Sequence, residues 1–556
     1  MAFVNAVCCP ASYSSNHSQA SQDTYEGSSY ECESDCHALD QTLTNGQSNT
    51  MEKMTYNRLR VAVIGAGAAG LCAARHLLSN PHTFQPPVVF ETSGQVGGTW
   101  VYTEVSETET HQHSSMYRNL RTNLPKEIME FPDFSFDPSL PSFIHHSEVL
   151  RYLEEYTDNF NIRPHIRFNC SVTEVSPVLK DGEHGQVPWE VSSHTQGSPH
   201  PVTERFDAVM VCAGHYSLPY IPDIPGIDTF QGKLLHSHFY RYPEMFASHS
   251  VVLLGCGPSG VDIALELAPY AQNVTLCHRG AALQWTPPKG VTLAPPVVGA
   301  TPHNLICEDG TQLEADTLIF CTGYKYYYPF LEPQNKPRNL KEAEENGETA
   351  VTKGPVPNAV VERIGLLVET RKVLSGSAEL LQSKDEKEFC DKNTNWLMND
   401  EVVVPDEGQG HLPLLYKHLI HALYPTMCFI GACKIVIPFP LFHCQVLFFL
   451  AVLEGKCPLP SPNQMLLESH EELKNHLSLG LPLKYLHRLE IGQWEYNNWL
   501  AETAGFEPLP PVKKKMYETC RRFRSINPTL YRGFKFEVLS KEECRVISAE
   551  CKGMQV

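Results

Sequence analysis

Residues 59–78 read LRVAVIGAGAAGLCAARHLL, and this stretch decides the fold. An apolar, β-branched run leads into Gly65-Ala66-Gly67-Ala68-Ala69-Gly70, after which Ala68, Leu71, Cys72, Ala74 and Leu78 recur at helical spacing. The pattern predicts strand, tight turn and helix. Val88-Val89-Phe90-Glu91 follows as a second short buried strand and completes a βαβ unit of about 30 residues. A G-x-G-x-x-G motif that leaves a strand and opens a helix lets the backbone approach a pyrophosphate, whose charge the helix N-terminus favours. Residues 65–70 are therefore expected to contact a dinucleotide. Glu91 stands 21 residues after Gly70, where a carboxylate accepts hydrogen bonds from ribose hydroxyls and repels a 2′-phosphate. This first unit suits FAD or NAD, not NADP.

The same grammar returns in residues 251–268, VVLLGCGPSGVDIALELA, followed by the strand-like Val274-Thr275-Leu276-Cys277. Here Gly255, Gly257, Ser259, Gly260, Val261 and Asp262 are the expected cofactor contacts. Pro258 suits a first helical turn, and Asp262 suits the positive end of the dipole. At the position equivalent to Glu91, 19 residues past Gly260, stands Arg279, a forked cation for the 2′-phosphate of NADPH.

Two further strands end in glycine, FDAVMVCAG (206–214) and TLIFCTG (317–323), and they bracket the second unit. The predicted fold is α/β with two dinucleotide-binding, Rossmann-like domains, the NADPH domain inserted into the FAD domain. The boundaries follow: residues 58–216 and 325–545 for FAD, residues 217–324 for NADPH. The polar, aperiodic residues 1–57 read as a disordered tail. Residues 332–407 read as an irregular insertion, with helix expected at most over 361–381. Apolar density rises again over residues 412–453, which are expected to complete the first domain.

Composition narrows the function. The chain has 556 residues, and 44 Lys plus Arg against 63 Asp plus Glu leave a net charge of −19, which disfavours nucleic acid as a partner. The 19 cysteines contain no C-x-x-C pair, so neither a secreted disulfide framework nor a zinc ribbon is encoded. The histidine pairs His111-x-His113, His145-His146 and His236-x-His238 lack ligand partners at metal spacing, so no metal is expected. The N-terminus lacks the basic flank of a signal peptide. Residues 435–452 are the most membrane-like segment, but Pro438, Pro440, His443 and Gln445 interrupt them. A helix starting at Pro440 would be about 14 residues long, short of the roughly 20 a bilayer needs. It reads as a buried core helix.

A chain with one site for FAD and another for NADPH takes hydride from nicotinamide, and a disulfide, a quinone or dioxygen could receive the electrons. No cysteine pair follows the first unit, where Gly97-Gly98-Thr99-Trp100 stands instead, and the Cys428/Cys433 spacing is a weak redox candidate. FQGKLLHSHFY matches F-x-G-x-x-x-H-x-x-x-Y at Phe230, Gly232, His236 and Tyr240. With Gly97, Gly98 and Trp100, Cys321-Thr322-Gly323-Tyr324, and Tyr117 to Lys126, the chain resembles the flavin-containing monooxygenases, among them insect-type members that N-oxygenate amines and alkaloids. The resemblance covers roughly residues 58–325 and 410–460.

That resemblance implies Gly98, Thr99 and Trp100 at the flavin, Thr122 and Asn123 between flavin and nicotinamide, and Leu124 as a further cofactor contact. It carries Gln445 to the flavin as well, although His443-Cys444-Gln445 stands where the family usually has Glu-x-Gln. The Asn123 amide is the candidate catalytic group, able to donate to a peroxide oxygen or the cofactor ribose. His236 is expected to pack domains together and not to act as a base. The implied reaction is that of an N,N-dimethylaniline-type monooxygenase: NADPH reduces FAD, O2 adds at flavin C4a, and a small-molecule amine or sulfide takes oxygen from the hydroperoxyflavin. The alternatives are a Baeyer–Villiger-type ketone monooxygenase and a non-catalytic flavin- and NADPH-binding interaction protein. A cytoplasmic location is expected, with peripheral association to the endoplasmic reticulum as its alternative. The oligomeric state is not legible.

Overall fold

The computed structural model describes residues 58–104, 114–179, 186–279, 287–331, 411–412 and 414–548, with the backbone of 554–555. The expectations for residues 1–57 and 332–407 lie outside these residues.

Two parallel sheets organise the chain. In the first, strands Ala208–Val211, Val61–Ile64, Val88–Phe90 and Ile166–Arg167 lie side by side, all parallel. Met427–Phe429 adds in parallel beside Ala208–Val211, and two short antiparallel strands, Ile420–His421 and Leu415–Tyr416, extend that edge. Val61–Ile64 and Ala208–Val211 are buried at every position, as a sheet covered on both faces requires. One face packs on helices Ala68–Leu78 and Pro438–Leu453, the other on the antiparallel sheet Cys170–Pro177, Trp189–Thr195 and Val202–Phe206.

The second sheet runs Val291–Ala294, Asn273–Cys277, Ser250–Leu254, Thr317–Phe320 and Lys233–His236, again all parallel. Its strands all come from residues 233–320, whereas the first sheet draws on chain before and after them. This is the inserted arrangement. The chain's two crossings are bonded to each other, with Leu218–Pro219 pairing antiparallel to Tyr324–Lys325.

The two units repeat a steric detail that explains their glycines. Each motif's first strand pairs with the strand that ends in glycine elsewhere in the sequence: Ile64 opposite Val211, Leu254 opposite Phe320. The next carbonyl of that neighbour then crowds the turn. A Cβ on Gly65 would stand 2.6 Å from Cys212 O, and one on Gly255 2.5 Å from Cys321 O, both at φ above +100°.

Helix Pro438–Leu453 is 16 residues long, with 11 of them buried and none exposed. It begins two residues before the expected Pro440, because Pro438 occupies a first-turn position where no N–H is needed. Among the described residues, no helix is long and apolar enough to cross a membrane.

Candidate functional site

Both glycine turns open on one cleft of about 1930 Å³. On the first unit, Gly65, Gly67, Ala68, Ala69, Glu91, Gly98, Thr99 and Trp100 line it. Gly67 and Gly98 face each other closely: a Cβ on Gly98 would stand 3.0 Å from Gly67 Cα. The bare backbone leaves room for a phosphate chain where side chains would block it, so these residues fit a dinucleotide pyrophosphate. Ala66 and Gly70 lie outside the lining and do structural work. Ala66 N donates to Glu91 Oε2 at 2.8 Å, and a Cβ on Gly70 would stand 1.8 Å from Gly65 O. Glu91 Oε1 also accepts from Ser93 N at 2.8 Å, so the carboxylate is held at its strand end beside the turn.

Thr122, Asn123 and Leu124 reach the cleft from a loop. Thr122 is anchored to Ile144, its N–H donating at 2.8 Å and its Oγ1 accepting at 3.1 Å. Asn123 is half-buried, and its side-chain amide has no partner among the described residues. A donor–acceptor group so placed is available to a ligand.

On the second unit, Gly257, Ser259, Val261 and Asp262 line the cleft, with Gly257 open: among the described residues, none outside its own turn comes within 4 Å of a Cβ built there. Gly255 and Gly260 do not line it but close the turn, a Cβ on Gly260 falling 1.9 Å from Gly255 O. Asp262 is more engaged than expected. Its Oδ1 accepts from Arg532 Nη1 at 2.5 Å, and its other oxygen accepts from the Tyr117 hydroxyl. Arg279 is exposed past the end of Asn273–Cys277 and is not part of the lining.

Gln445 is likewise outside the cleft and fully buried. Its Oε1 accepts from Gly431 N at 2.8 Å, and its Nε2 donates to Tyr496 Oη at 3.0 Å. It braces the turn whose Gly431 and Cys433 form cleft wall. His236 is 2% exposed; its Nδ1 accepts from His238 N at 3.1 Å, which leaves Nε2 to donate to Gly323 O at 3.1 Å. Burial pushes it down to about 3, so it sits neutral across the crossing. Cys428 and Cys433 are buried free thiols raised above their usual range by that burial.

Two features were not read from the sequence. Lys434, Lys484, Arg488, Arg521, Arg524 and Arg532 all line the cleft of an otherwise acidic chain, gathered from positions too scattered to signal one another. Cys72, His76 and His443 place donor atoms within 4.8 Å of one another, and His76 Nε2 lies 3.2 Å from His443 Nδ1. That ring-to-ring distance is a hydrogen bond, which pins helix Ala68–Leu78 to Pro438–Leu453.

Comparison with known proteins agrees with this geometry. The model of the family described as flavin-binding monooxygenase-like matches residues 58–286. The flavin-containing monooxygenase FMO GS-OX-like 4 of Arabidopsis thaliana is 33% identical over 496 residues, covering 85% of this chain and 93% of its own. FMO GS-OX4 of the same plant is 34% identical over 472 residues, covering 81% and 85%. Among solved structures, S-allyl-L-cysteine S-oxygenase from Allium sativum aligns with a TM-score of 0.67 at 29% identity, covering 85% of this chain and 95% of its own. With two glycine turns facing one cleft and relatives matched over most of their length, the chain belongs to the flavin-containing monooxygenase family.

Proposed function

We propose that the chain oxygenates soft nucleophilic nitrogen or sulfur atoms of small molecules, taking two electrons from NADPH and one oxygen atom from O2, with the second oxygen leaving as water. FAD and NADPH are the cofactors of the family to which the chain belongs. Reduced FAD supplies the activated oxygen. The residues of the chain bind, orient and shield.

The observation that carries this reading is the meeting in one cleft of both glycine turns and the Asn123 amide, which is unpaired among the described residues. In this reading residues 58–216 with 325–545 bind FAD and residues 217–324 bind NADPH. The turn Gly65–Gly70 with Gly98, Thr99 and Trp100 holds the flavin nucleotide, and Glu91 takes its ribose. Gly257, Ser259 and Val261 hold NADPH, and Arg279 recognises the 2′-phosphate. Asn123 donates a hydrogen bond in the space between the two cofactors. A soft nucleophile needs no acyl-enzyme or protein nucleophile, which suits a cleft offering amides and backbone N–H groups. The name of the Allium relative, an S-oxygenase, supports sulfur as an acceptor atom.

The test is aerobic turnover of the FAD-loaded protein with NADPH and a panel of thioethers, tertiary amines and cyclic ketones. S-oxide or N-oxide with one oxygen from labelled O2 supports the proposal. Ester from the ketone alone would reassign the reaction, and NADPH oxidation without any oxygenated product would refute it.

A further inference from the structure

Among the described residues, two lysines in the cleft have no acid to answer them. Lys434 lies just before helix Pro438–Leu453, and Lys484 sits in the turn Leu483–Tyr485. Their segments are stitched together: Lys434 N donates to His487 O at 2.7 Å, and Leu489 N donates to Lys434 O at 3.1 Å. Both side chains therefore open on the same stretch of cleft wall. Lys434 Nζ stands 4.0 Å from the centre of the Tyr326 ring and Lys484 Nζ 5.5 Å from that of Tyr220, so the surroundings are aromatic.

Neither ammonium is paired with a carboxylate among the described residues. Arg488, on the same wall, differs in being ion-paired with Glu490 at 2.6 Å. The charge that bears on Lys434 is that of another base, Lys484; His215 and His487 also lie within its electrostatic reach, and the phenol of Tyr326 presents its ring. Burial and the Lys484 charge push Lys434 down to about 8. A half-buried ammonium beside a second one is unfavourable until an anion arrives. The backbone next to it is strained as well: Ile435 is β-branched at φ 55°, 43% exposed on the cleft wall, and held there by the bond from Glu490 N to its carbonyl at 3.1 Å. Strain of this kind persists where surrounding structure enforces it, commonly at ligand sites.

The cofactor phosphates already have seats at the two glycine turns, and neither lysine belongs to those units. The geometry points to an anion subsite in which Lys434 and Lys484 grip a carboxylate or sulfate-type group on the substrate, so that the preferred substrates are small organic anions bearing a soft sulfur or nitrogen. This rests on the proposed oxygenation and names its substrate class.

The experiment uses the FAD-loaded full chain with 3-(methylthio)propanoate and its uncharged amide, NADPH saturating, alongside calorimetric binding of the inert 3-methoxypropanoate. The expected result is a kcat/KM preference for the anion of about ten-fold, carried by KM, together with measurable binding of the inert anion. Lys434→Met and Lys484→Met should each narrow that preference about five-fold or more and weaken the calorimetric binding, while Lys434→Arg retains both. If Lys434→Met fails to fold, Lys484→Met on its half-buried turn decides by the same ratio. Equal handling of the two thioethers by the native protein, or an unaltered ratio in the folded variants, overturns the subsite and leaves the monooxygenase standing. A parallel rise in KM for NADPH also overturns it, because the lysines would then serve a cofactor phosphate. Turnover of neither thioether removes the oxygenation reading and the subsite with it.

Discussion

Arg532 Nη1 lies 2.5 Å from Asp262 Oδ1, and its Nε donates to Thr122 O at 3.0 Å. One C-terminal side chain thus joins the helix after the second glycine turn to the loop that carries Asn123. Both members of the ion pair are mostly buried, with side-chain exposures of 17% and 20%. Removing Arg532 would leave Asp262 facing the Tyr117 hydroxyl alone. Arg532→Met should lower unfolding stability by about 2 kcal/mol, between the values for exposed and fully buried pairs. It should also raise KM for NADPH, because the glycine turn and the Asn123 loop lose their common tie. Urea unfolding and steady-state kinetics check the two effects; intact stability would show that the pair contributes nothing.

The glycines of the second turn should separate cleanly on mutation. Gly255→Ala places a methyl 2.5 Å from Cys321 O at φ +116°, and the backbone carbonyl cannot move aside. We expect a loss of at least about 2 kcal/mol in stability. Gly257→Ala meets nothing within 4 Å, and its φ of −76° is ordinary for alanine. That variant should fold normally and show only a raised KM for NADPH. Thermal unfolding of both proteins, with NADPH kinetics on the second, tests the contrast. Equal destabilisation would contradict it.

Asn123→Ala should leave the fold intact, since the amide is bonded to no described side chain or backbone group. The expected defect is in coupling. Loss of one hydrogen bond in a shielded site is worth about 1–1.5 kcal/mol, so product formed per NADPH consumed should fall by about ten-fold and H2O2 should rise to match. Paired assays of oxygenated product and peroxide measure this directly, and unchanged coupling would remove Asn123 from the reaction.

What was legible in the sequence is what is encoded locally. Strand, glycine turn and helix at residues 61–78 and 250–267 follow from spacing within about twenty residues, and both units appear where the pattern puts them. The inserted topology was also legible, because strands Ala208–Val211 and Thr317–Phe320 end in glycines that repeat the same grammar. Contacts across long sequence distances were not. Asp262 looked free to serve a cofactor, yet its partner is 270 residues away, and no pattern in either segment announces the other. Gln445 was assigned to the flavin by family pattern, whereas its amide is spent on Gly431 and Tyr496. Arg279 sits exposed at the expected strand end, outside the cleft lining, and strand position fixes where its side chain starts and not where it reaches.

Acid should destabilise this protein through its buried histidines. Burial holds His421, His236 and His215 down to about 3, and His443 down to about 4, against an ordinary value of 6.5. A histidine depressed in the folded state binds its proton first in the unfolded chain, so the unfolded state gains below 6.5. Its contribution is therefore complete above that pH, is lost as pH falls, and stops changing once the folded group protonates near 3. Between pH 6.5 and 5 each such group removes about 2 kcal/mol, at about 1.4 kcal/mol per pH unit. Glu130 and Glu266, raised by burial, act with the opposite sign, so total stability does not isolate the histidines. His421 does: it is 1% exposed, its Nε2 has no hydrogen-bond partner among the described residues, and its Nδ1 accepts from Tyr424 N at 3.0 Å. His421→Phe should cost stability at pH 7 through that orphaned N–H, yet lose about 2 kcal/mol less than the native protein between pH 6.5 and 5. Urea unfolding at several pH values reads the slope, and parallel curves for the two proteins would show that His421 is not neutral in the folded core.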